Sequence, residues 1–290
     1  MSVVLSKREL LLKADQIRQD IIQMLEEAGS GHTAGPLGMA DIFTALYFAN
    51  ILRYRPKEPS WSERDRLVLS NGHINPVLYA TMAHAGYFPR SELKSLRKFG
   101  SRLQGHPERE RLPGLETTSG PLGSGLSQAA GMAYGFRMDG NKQPHVYCLT
   151  SDGEHQEGNI WEAIMFAGNN RLRNLTVIID RNNIQIDGFT ENVMPLEPLA
   201  AKYEAFNWHV IEIDGHNFDE IAGAIGQAKS VFERPTCIIA HTIPGKGVDF
   251  MENDFHWHGY DLNSSHAKQD YQKALRELRT LQGKIRGANE

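Results

Sequence analysis

Cysteine, long apolar runs and excess positive charge are all scarce in this sequence of 290 residues. Only Cys148 and Cys237 are present, each inside an apolar run, which favours buried thiols in a reducing compartment over a disulfide. The net charge of -4 argues against an electrostatic nucleic-acid binder. No stretch approaches the roughly 20 apolar residues that cross a bilayer, and the N-terminus lacks a signal sequence. We therefore expect a cytoplasmic protein that binds neither nucleic acid nor membrane.

Repeats, low-complexity tracts and linkers rich in Pro, Gly and Ser are also missing, so we expect a single domain over residues 1–290. Short β-branched or apolar runs alternate with helix-length segments. This pattern predicts a doubly wound α/β fold, with a mostly parallel sheet and helices on both faces. The predicted strands cover residues 67–69, 146–150, 175–179, 210–213 and 237–240.

Three helices are predicted from apolar residues at helical spacing. The first covers residues 10–25 and ends near Gly29, and the second runs over 37–51. The third lies in the charged tail 267–290, which suits a surface helix or a segment that docks on a partner.

Polar residues follow two of the predicted strands. Asp152 and Gly153 come after the strand 146–150, and Asn182 comes after the strand 175–179. Because both turns of a right-handed βαβ unit lie at the carboxyl edge of the sheet, we expect Asp152 and Asn182 to converge. Each residue taken alone is more simply explained as a turn cap. Their coincidence on adjacent strands favours a ligand site.

Magnesium fits this pair of turns, because it prefers oxygen ligands and keeps positions for phosphate oxygens. The predicted ligands are the Asp152 carboxylate, the Asn182 amide oxygen and the Ile184 carbonyl. Gly153 has no side chain and lets backbone N–H groups approach a phosphate closely. The two turns therefore predict a magnesium site that anchors a diphosphate.

These turns carry a family resemblance. The Asp-Gly pair followed by the Arg-Asn-Asn turn resembles the thiamine-diphosphate fingerprint of the transketolases. Further blocks of the sequence resemble other motifs of that family: Ser30-Gly31-His32, Asn71-Gly72-His73, Gln104-Gly105-His106, Gly120-Pro121-Leu122 and His256-Trp257-His258-Gly259.

The resemblance implies a role for each of these positions. The catalytic residues that it implies, which face the sugar and its reacting carbons, are His32, His106 and His258. The cofactor contacts that it implies are His73, Gly120, Pro121, Leu122, Gly153, Asn182 and His258. The metal ligands are Asp152, Asn182 and Ile184, with Mg²⁺ as the cation, or another divalent cation such as Ca²⁺ or Mn²⁺. The other eight histidines are expected to be surface or structural residues.

The implied reaction cleaves a ketose between its second and third carbons and passes a two-carbon glycolaldehyde unit to an aldose. Imidazoles suit the proton transfers at the sugar hydroxyls, since they titrate near neutral pH. The thiazolium of thiamine diphosphate stabilises the carbanion. Phosphosugars of carbohydrate metabolism are the expected substrates, although the sequence does not identify the donor, the acceptor or the pathway.

A second chain is also implied. The resemblance runs from about Arg8 to Gly259, whereas transketolases usually continue into a pyrimidine-binding domain and a C-terminal domain. We therefore expect a split transketolase in which a complementary subunit carries those domains, assembled as an A2B2 heterotetramer. Glu157 matches an interfacial carboxylate of the family, and the alternative is a solvated glutamate at a helix start.

Three positions depart from the family pattern. Ser151 stands where glycine is usual, Thr33 replaces a common proline, and Glu154 adds an acidic side chain beside an anion site. None of them removes a predicted metal ligand. Whether Glu154 points into solvent or toward a basic residue of the partner is left open.

Alternative functions exist within and outside the cofactor class. One is a subunit of another thiamine-diphosphate enzyme, resembling 1-deoxyxylulose-5-phosphate synthase or a 2-oxoacid dehydrogenase. Another is a noncatalytic regulatory subunit that keeps the fold. A nicotinamide-binding Rossmann domain fits less well, because no Gly-x-Gly-x-x-Gly opens a helix after a strand.

Overall fold

The computed structural model describes residues 5–260, 264 and 266–288. The strands are β1 (Arg66–Leu69), β2 (Val146–Ser151), β3 (Leu175–Arg181), β4 (Ile184–Gln185), β5 (Gly188–Phe189), β6 (His209–Asp214) and β7 (Thr236–His241). Five of them form one parallel sheet in the order β1-β2-β3-β7-β6, and β4 and β5 form a separate antiparallel hairpin. All five predicted strands are confirmed, because β-branched runs bounded by turns mark buried parallel strands.

The α-helices cover the sheet and the segments between its strands. They are α1 (Lys7–Ala28), α2 (Ala34–Gly38), α3 (Ala40–Phe48), α4 (Asn75–Ala85), α5 (Ser124–Met138), α6 (Gly158–Asn169), α7 (Thr190–Val193), α8 (Leu199–Ala205), α9 (Phe218–Ser230) and α10 (Ala267–Gly287). The prediction of one helix over 37–51 is wrong. The break falls after Gly38, where a Cβ would lie 2.9 Å from the carbonyl oxygen of Ile243.

The first and last helices pack against each other. A capping box between Ser6 and Glu9 starts α1, and Gly29 ends it with φ 64°, a conformation that favours glycine. The tail forms α10 as a surface helix, which buries one apolar face that includes Tyr271 and Leu278. The last two residues of the predicted tail helix lie outside the described residues.

Two apolar cores lie on opposite faces of the sheet. Alternate residues of β2 point to different cores. Tyr147 and Leu149 pack in the core that also contains residues of α1, α3, α4 and α9. Val146 and Cys148 pack in the core that also contains residues of α5 and α6. Burying each large apolar side chain contributes about 1.5–3 kcal/mol. The predicted doubly wound α/β fold is therefore confirmed, and the rigid sheet holds the loops at its carboxyl edge.

Both cysteines are buried and free, as expected. Burial raises the pKa of each thiol well above its usual range. Across the residues that the structure describes, no helix is both long enough and apolar enough to cross a membrane.

Candidate functional site

Asp152 lies directly after β2, at the carboxyl edge of the sheet. The pairing of β2 with β3 continues to Ser151 and Asp180, so the two polar turns meet as predicted. The Asp152 side chain is fully buried. Its Oδ1 accepts the N–H of Gly153 at 2.7 Å, and its Oδ2 accepts the N–H of Asn183 at 2.7 Å. The carboxylate is thus fixed by backbone donors from both strand ends.

Arg181, the last residue of β3, supplies a positive charge beside this carboxylate. Its Nη1 donates to Asp152 Oδ2 at 2.9 Å, and its Nη2 pairs with Glu191 at 2.7 Å and Glu197 at 3.0 Å. Burial raises the pKa of Asp152, and Arg181 offsets this only in part. Sequence reasoning left Arg181 out of the site, although an arginine that ends an apolar strand was an available signal.

Asn182 faces the same edge, and Asp180 orients its amide. Asn182 Nδ2 donates to Asp180 Oδ2 at 2.8 Å, which leaves Asn182 Oδ1 to accept the N–H of Ile184 at 3.0 Å. The Thr242 hydroxyl donates to the other oxygen of Asp180. Burial raises the pKa of Asp180 to about 7, and the nearby charge of Asp152 acts in the same direction. Sequence reasoning missed Asp180 too, although a charged residue directly after the apolar run 175–179 was an available signal.

Three of the predicted histidines form one cluster. The ring centroids of His32 and His73 lie 4.9 Å apart, those of His73 and His258 lie 5.1 Å apart, and those of His32 and His258 lie 5.4 Å apart. The segment of His258 also approaches the hairpin after β3, because a Cβ on Gly259 would lie 3.8 Å from Ile186. The segment that carries His258 therefore packs beside the hairpin that follows the Asn182 turn.

The fourth predicted histidine lies beside the turn that carries His73. A Cβ on Gly72 would lie 2.4 Å from Ser119 Oγ and 3.2 Å from the His106 ring, so only glycine fits there. His106 is exposed, unlike the half-buried cluster. The structure therefore brings all four predicted histidines to one side of the carboxyl edge.

The surroundings of these four imidazoles lower the pKa of each ring. Burial, followed by the neighbouring His258 and Arg97, lowers the pKa of His32 to about 3. Burial also lowers the pKa of His73 and of His258. For the exposed His106, partial desolvation and then the Arg97 guanidinium lower the pKa. A neutral imidazole has one donor and one acceptor nitrogen, which suits proton exchange with a hydroxyl.

The predicted thiamine cradle forms an open loop before α5. Gly120 is half-buried, a Cβ there would meet nothing within 4 Å, and Pro121 and Leu122 are exposed. At the end of this loop, Gly123 adopts φ 81° and donates its N–H to Glu154 at 2.7 Å. The loop thus exposes its Gly-Pro-Leu part while its base is anchored.

Glu154 is fully buried. Both orientations left open for it, into solvent or toward a basic partner residue, are therefore wrong. Its carboxylate turns inward and accepts bonds from Ser70 Oγ, Gly123 N and Ser151 N. Burial raises the pKa of Glu154 to about 7. Glu157 is exposed at the start of α6 and makes no side-chain cap bond.

Polar atoms without partners surround the imidazole cluster, although buried polar groups are normally hydrogen-bonded. Within the described residues, these buried atoms are His32 Nδ1, His258 Nδ1, Asn71 Oδ1 and Nδ2, and Ser119 Oγ. Such atoms fit a polar ligand that enters between the loops, as the predicted cofactor does.

The strand-end donors fit a hard cation. A carboxylate, an amide oxygen and a backbone carbonyl are ligand types that Mg²⁺ and Ca²⁺ accept. A cation there would share the Asp152 carboxylate with Arg181. No group of three or more His, Cys, Asp or Glu ligands occurs in the described part of the chain, and the predicted set does not require one.

The fold and the site together define a cofactor-binding α/β domain with its site at the carboxyl edge of a parallel sheet. The family model for the thiamine-diphosphate-binding domain of transketolase matches residues 11–276. The chain therefore belongs to the transketolase family, and the resemblance seen in the sequence is confirmed.

Two similar proteins are transketolase subunits of comparable extent. The chain is 44% identical to the 6-deoxy-6-sulfo-D-fructose transketolase subunit SqwG of Clostridium sp. (strain MSTE9), over 88% of this chain and 92% of that protein. It is 38% identical to an apulose-4-phosphate transketolase subunit of Phocaeicola vulgatus, over 93% of each. These names confirm the predicted enzyme class.

Longer transketolases match over part of their length. The human enzyme is 38% identical over 92% of this chain but only 42% of its own length. The solved transketolase from Leishmania mexicana superposes with a TM-score of 0.82 at 30% identity, covering 98% of this chain. The chain spans 46% of that solved chain, which is about half of its length.

Proposed function

We propose that this chain is the diphosphate-binding, N-terminal subunit of a two-chain transketolase. The observation that carries the proposal is its alignment over 92% and 93% of two proteins named as transketolase subunits. Residues 1–290 then form one thiamine-diphosphate-binding domain. A complementary subunit supplies the pyrimidine-binding and C-terminal domains, and two copies of each chain make an A2B2 heterotetramer.

The metal and the diphosphate bind at the strand ends in this proposal. The Asp152 carboxylate, the Asn182 amide oxygen and the Ile184 carbonyl hold Mg²⁺, or Ca²⁺ or Mn²⁺ in its place. Gly153 leaves room for phosphate oxygens close to the backbone. The cation would offset the charge of the diphosphate, and the backbone N–H groups of Gly153 and Asn183 already fix the Asp152 carboxylate that would hold it.

The remaining contacts position the cofactor and the sugar. His73 and His258 donate to the diphosphate, while Gly120, Pro121 and Leu122 line the thiamine. When bound, thiamine diphosphate supplies the electron sink for the two-carbon fragment. His32, His106 and His258 hydrogen-bond the sugar hydroxyls and take up or return their protons, since their surroundings lower the pKa of each ring and so favour the neutral form.

The proposed substrates are ketoses and aldoses with an anionic end group. The similar subunits act on 6-deoxy-6-sulfo-D-fructose and apulose 4-phosphate according to their names. A panel of phosphorylated and sulfonated ketoses is therefore the appropriate search. We also propose a cytoplasmic location, supported by two buried free thiols.

Reconstitution tests the proposal. The chain is copurified with its complementary subunit, and thiamine diphosphate and Mg²⁺ are added to the complex. We expect two-carbon transfer by the complex, loss of activity with a chelator, and a mass by light scattering that corresponds to A2B2. Full activity of this chain alone would contradict the split site.

Two alternative functions are separated by the same assay. Decarboxylation of pyruvate without ketose turnover would indicate a synthase or dehydrogenase subunit of the same cofactor class. An unchanged rate of the complex after H106A would indicate a regulatory subunit, because His106 is placed at the reacting carbons in the catalytic proposal.

A further inference from the structure

We propose that Glu154 is a positioning residue that fixes the three cofactor-binding loops relative to one another. The inference rests on the proposed function and adds a residue to it. Glu154 itself is fully buried and has no surface for a ligand. It therefore acts through the loops to which it is bonded.

The carboxylate receives three hydrogen bonds from three segments. Its Oε1 accepts Ser70 Oγ at 2.6 Å and Gly123 N at 2.7 Å, and its Oε2 accepts Ser151 N at 2.9 Å. Ser70 Oγ in turn accepts the N–H of Gly125 at 3.2 Å. One side chain thus joins the ends of β1 and β2 to the start of α5.

Each bonded residue adjoins a predicted cofactor contact. Ser70 precedes the Asn71-Gly72-His73 turn, Gly123 follows the Gly120-Pro121-Leu122 loop, and Ser151 precedes Asp152 and Gly153. Displacing the Glu154 carboxylate would change the spacing between the diphosphate contacts and the thiamine wall. Shifts of this kind weaken ligand binding without removing any contact residue.

The start of α5 shows why a carboxylate is needed at this point. Gly123 is the N-cap of α5 and has no side chain to accept the helix amides. Glu154 accepts the Gly123 amide directly and engages the Gly125 amide through Ser70, so it caps the helix from another segment.

Close packing leaves this junction little freedom to adjust. A Cβ on Gly125 would lie 2.5 Å from Ser70 Cβ, and a Cβ on Gly123 would lie 2.1 Å from Asn159 Oδ1. Gly125 therefore allows α5 to approach the end of β1 closely, and Gly123 allows it to approach α6. The three donors meet Glu154 only in this packed arrangement.

The experiment compares E154Q with D65N in the complex with the complementary subunit. Asp65 is also buried and accepts amides from two segments, Arg53 at 3.0 Å and His145 at 3.0 Å. It lies at the opposite end of β1, away from the site. E154Q keeps the size of the side chain but presents an NH2 group to at least one of its present donors.

Three readouts are measured. Hydrogen exchange of the chain reports protection of the amides in segments 70–73 and 120–125. Calorimetric titration with thiamine diphosphate and Mg²⁺ reports cofactor affinity, and steady-state kinetics separates the KM for the cofactor from kcat. We expect E154Q to speed exchange in both segments and to weaken the affinity roughly tenfold to a hundredfold. At saturating cofactor, kcat should stay close to that of the wild type.

D65N should leave exchange in both segments, cofactor affinity and kcat unchanged, even if it lowers the unfolding midpoint. Wild-type affinity and exchange in E154Q would overturn the positioning role alone. Equal losses in E154Q and D65N would also overturn it, since they would indicate general destabilisation. If the wild-type complex fails to bind thiamine diphosphate, the proposed function fails, and the positioning role fails with it.

Discussion

Two buried arginine–aspartate pairs in this molecule have similar geometry but different surroundings. Arg181 meets Asp152 at the carboxyl edge of the sheet at 2.9 Å, and Arg18 meets Asp41 between α1 and α3 at 2.6 Å. All four side chains are almost completely buried. A buried ion pair is therefore not by itself the mark of a site.

The two aspartates differ in their other partners. His216 also donates to Asp41 at 2.7 Å, and Arg18 and His216 lower the pKa of Asp41 although burial acts to raise it. The pKa of Asp152 is raised instead, since burial outweighs Arg181. Asp41 is electrostatically satisfied by the protein, whereas Asp152 would gain from a further cation.

The largest expected effect is a difference in cofactor binding between the variants D152A and D41A, each of which removes the aspartate of one pair. D41A leaves the buried Arg18 without a carboxylate and should cost about 3–5 kcal/mol in the free energy of unfolding. D152A should cost less, because Arg181 keeps its pairs with Glu191 and Glu197. Only D152A should abolish the Mg²⁺-dependent binding of thiamine diphosphate. Urea unfolding and calorimetric titration of the complex measure the two quantities.

D152N serves as the milder variant where D152A does not fold. The comparison breaks down if D152N keeps wild-type cofactor affinity, or if D41A loses affinity to the same extent as D152A.

A pair of exposed histidines allows the same comparison for catalysis. We expect H106A to reduce kcat by about 10²–10⁴-fold, the usual contribution of general acid–base catalysis. H256A is the matched control, because His256 pairs with Asp254 and stacks on Phe255 rather than facing the cluster. Both should shift the free energy of unfolding by less than about 0.5 kcal/mol, as exposed substitutions usually do.

Ketol-transfer rates of the complex, with a thermal unfolding curve for each variant, decide the outcome. Equal rates for H106A and H256A would remove His106 from the reaction.

The strands and the convergence of the two turns were predictable from the sequence because both follow from local patterns and from the handedness of βαβ units. The direction of Glu154 was not predictable. Its partner Ser70 lies 84 positions away, so only the folded chain shows that the carboxylate turns inward. Asp180 and Arg181 could have been noticed as charged residues at the end of an apolar run, but their bonds to Asn182, Thr242 and Asp152 appear only in the folded chain.

The four histidines illustrate a different limit. Spacing alone offers no reason to prefer these four among the twelve histidines of the chain, and the family resemblance selected them.

The break between α2 and α3 depended on the loop after β7, whose backbone lies against Gly38. Contacts between distant segments are thus the part of the fold that the sequence pattern does not reveal.

Asp15 extends the comparison to a buried carboxylate without a hydrogen-bonded cation. Its Oδ2 accepts Gln19 Nε2 at 2.7 Å, and its Oδ1 has no partner within the described chain. Burial raises the pKa of Asp15 from 3.8 to about 6. Because the folded state then binds a proton more tightly than the unfolded state, its stability falls as the pH rises from about 4 to 6.

D15N should remove this loss, by less than about 3 kcal/mol, since one pKa unit corresponds to about 1.4 kcal/mol. Chemical unfolding at pH 4, 5, 6 and 7 measures the effect. The expected result is that D15N gains stability relative to the wild type as the pH increases. A constant difference between the two proteins across this range would contradict the raised pKa.

Arg97 is the converse case, a cation that pairs with no carboxylate among the described residues. Its guanidinium lies 3.5 Å from Ser30 Oγ and from the Gly105 carbonyl, beside the loops that carry His32 and His106. Partial desolvation is the first cause that lowers the pKa of His106, and the positive charge of Arg97 is the second. R97A should therefore raise that pKa.

The acid limb of the pH profile of kcat/KM should then move to higher pH in R97A, because His106 becomes protonated more readily. The shift should be less than about one pH unit, since charges about 4 Å apart interact by ~1 kcal/mol in water. K98A is the matched control, because Lys98 pairs with Glu27 instead. If R97A and K98A both give the same pH profile as the wild type, the Arg97 guanidinium does not act on His106. The influence of charge pairing on a pKa would then be supported only by Asp152 and Asp41.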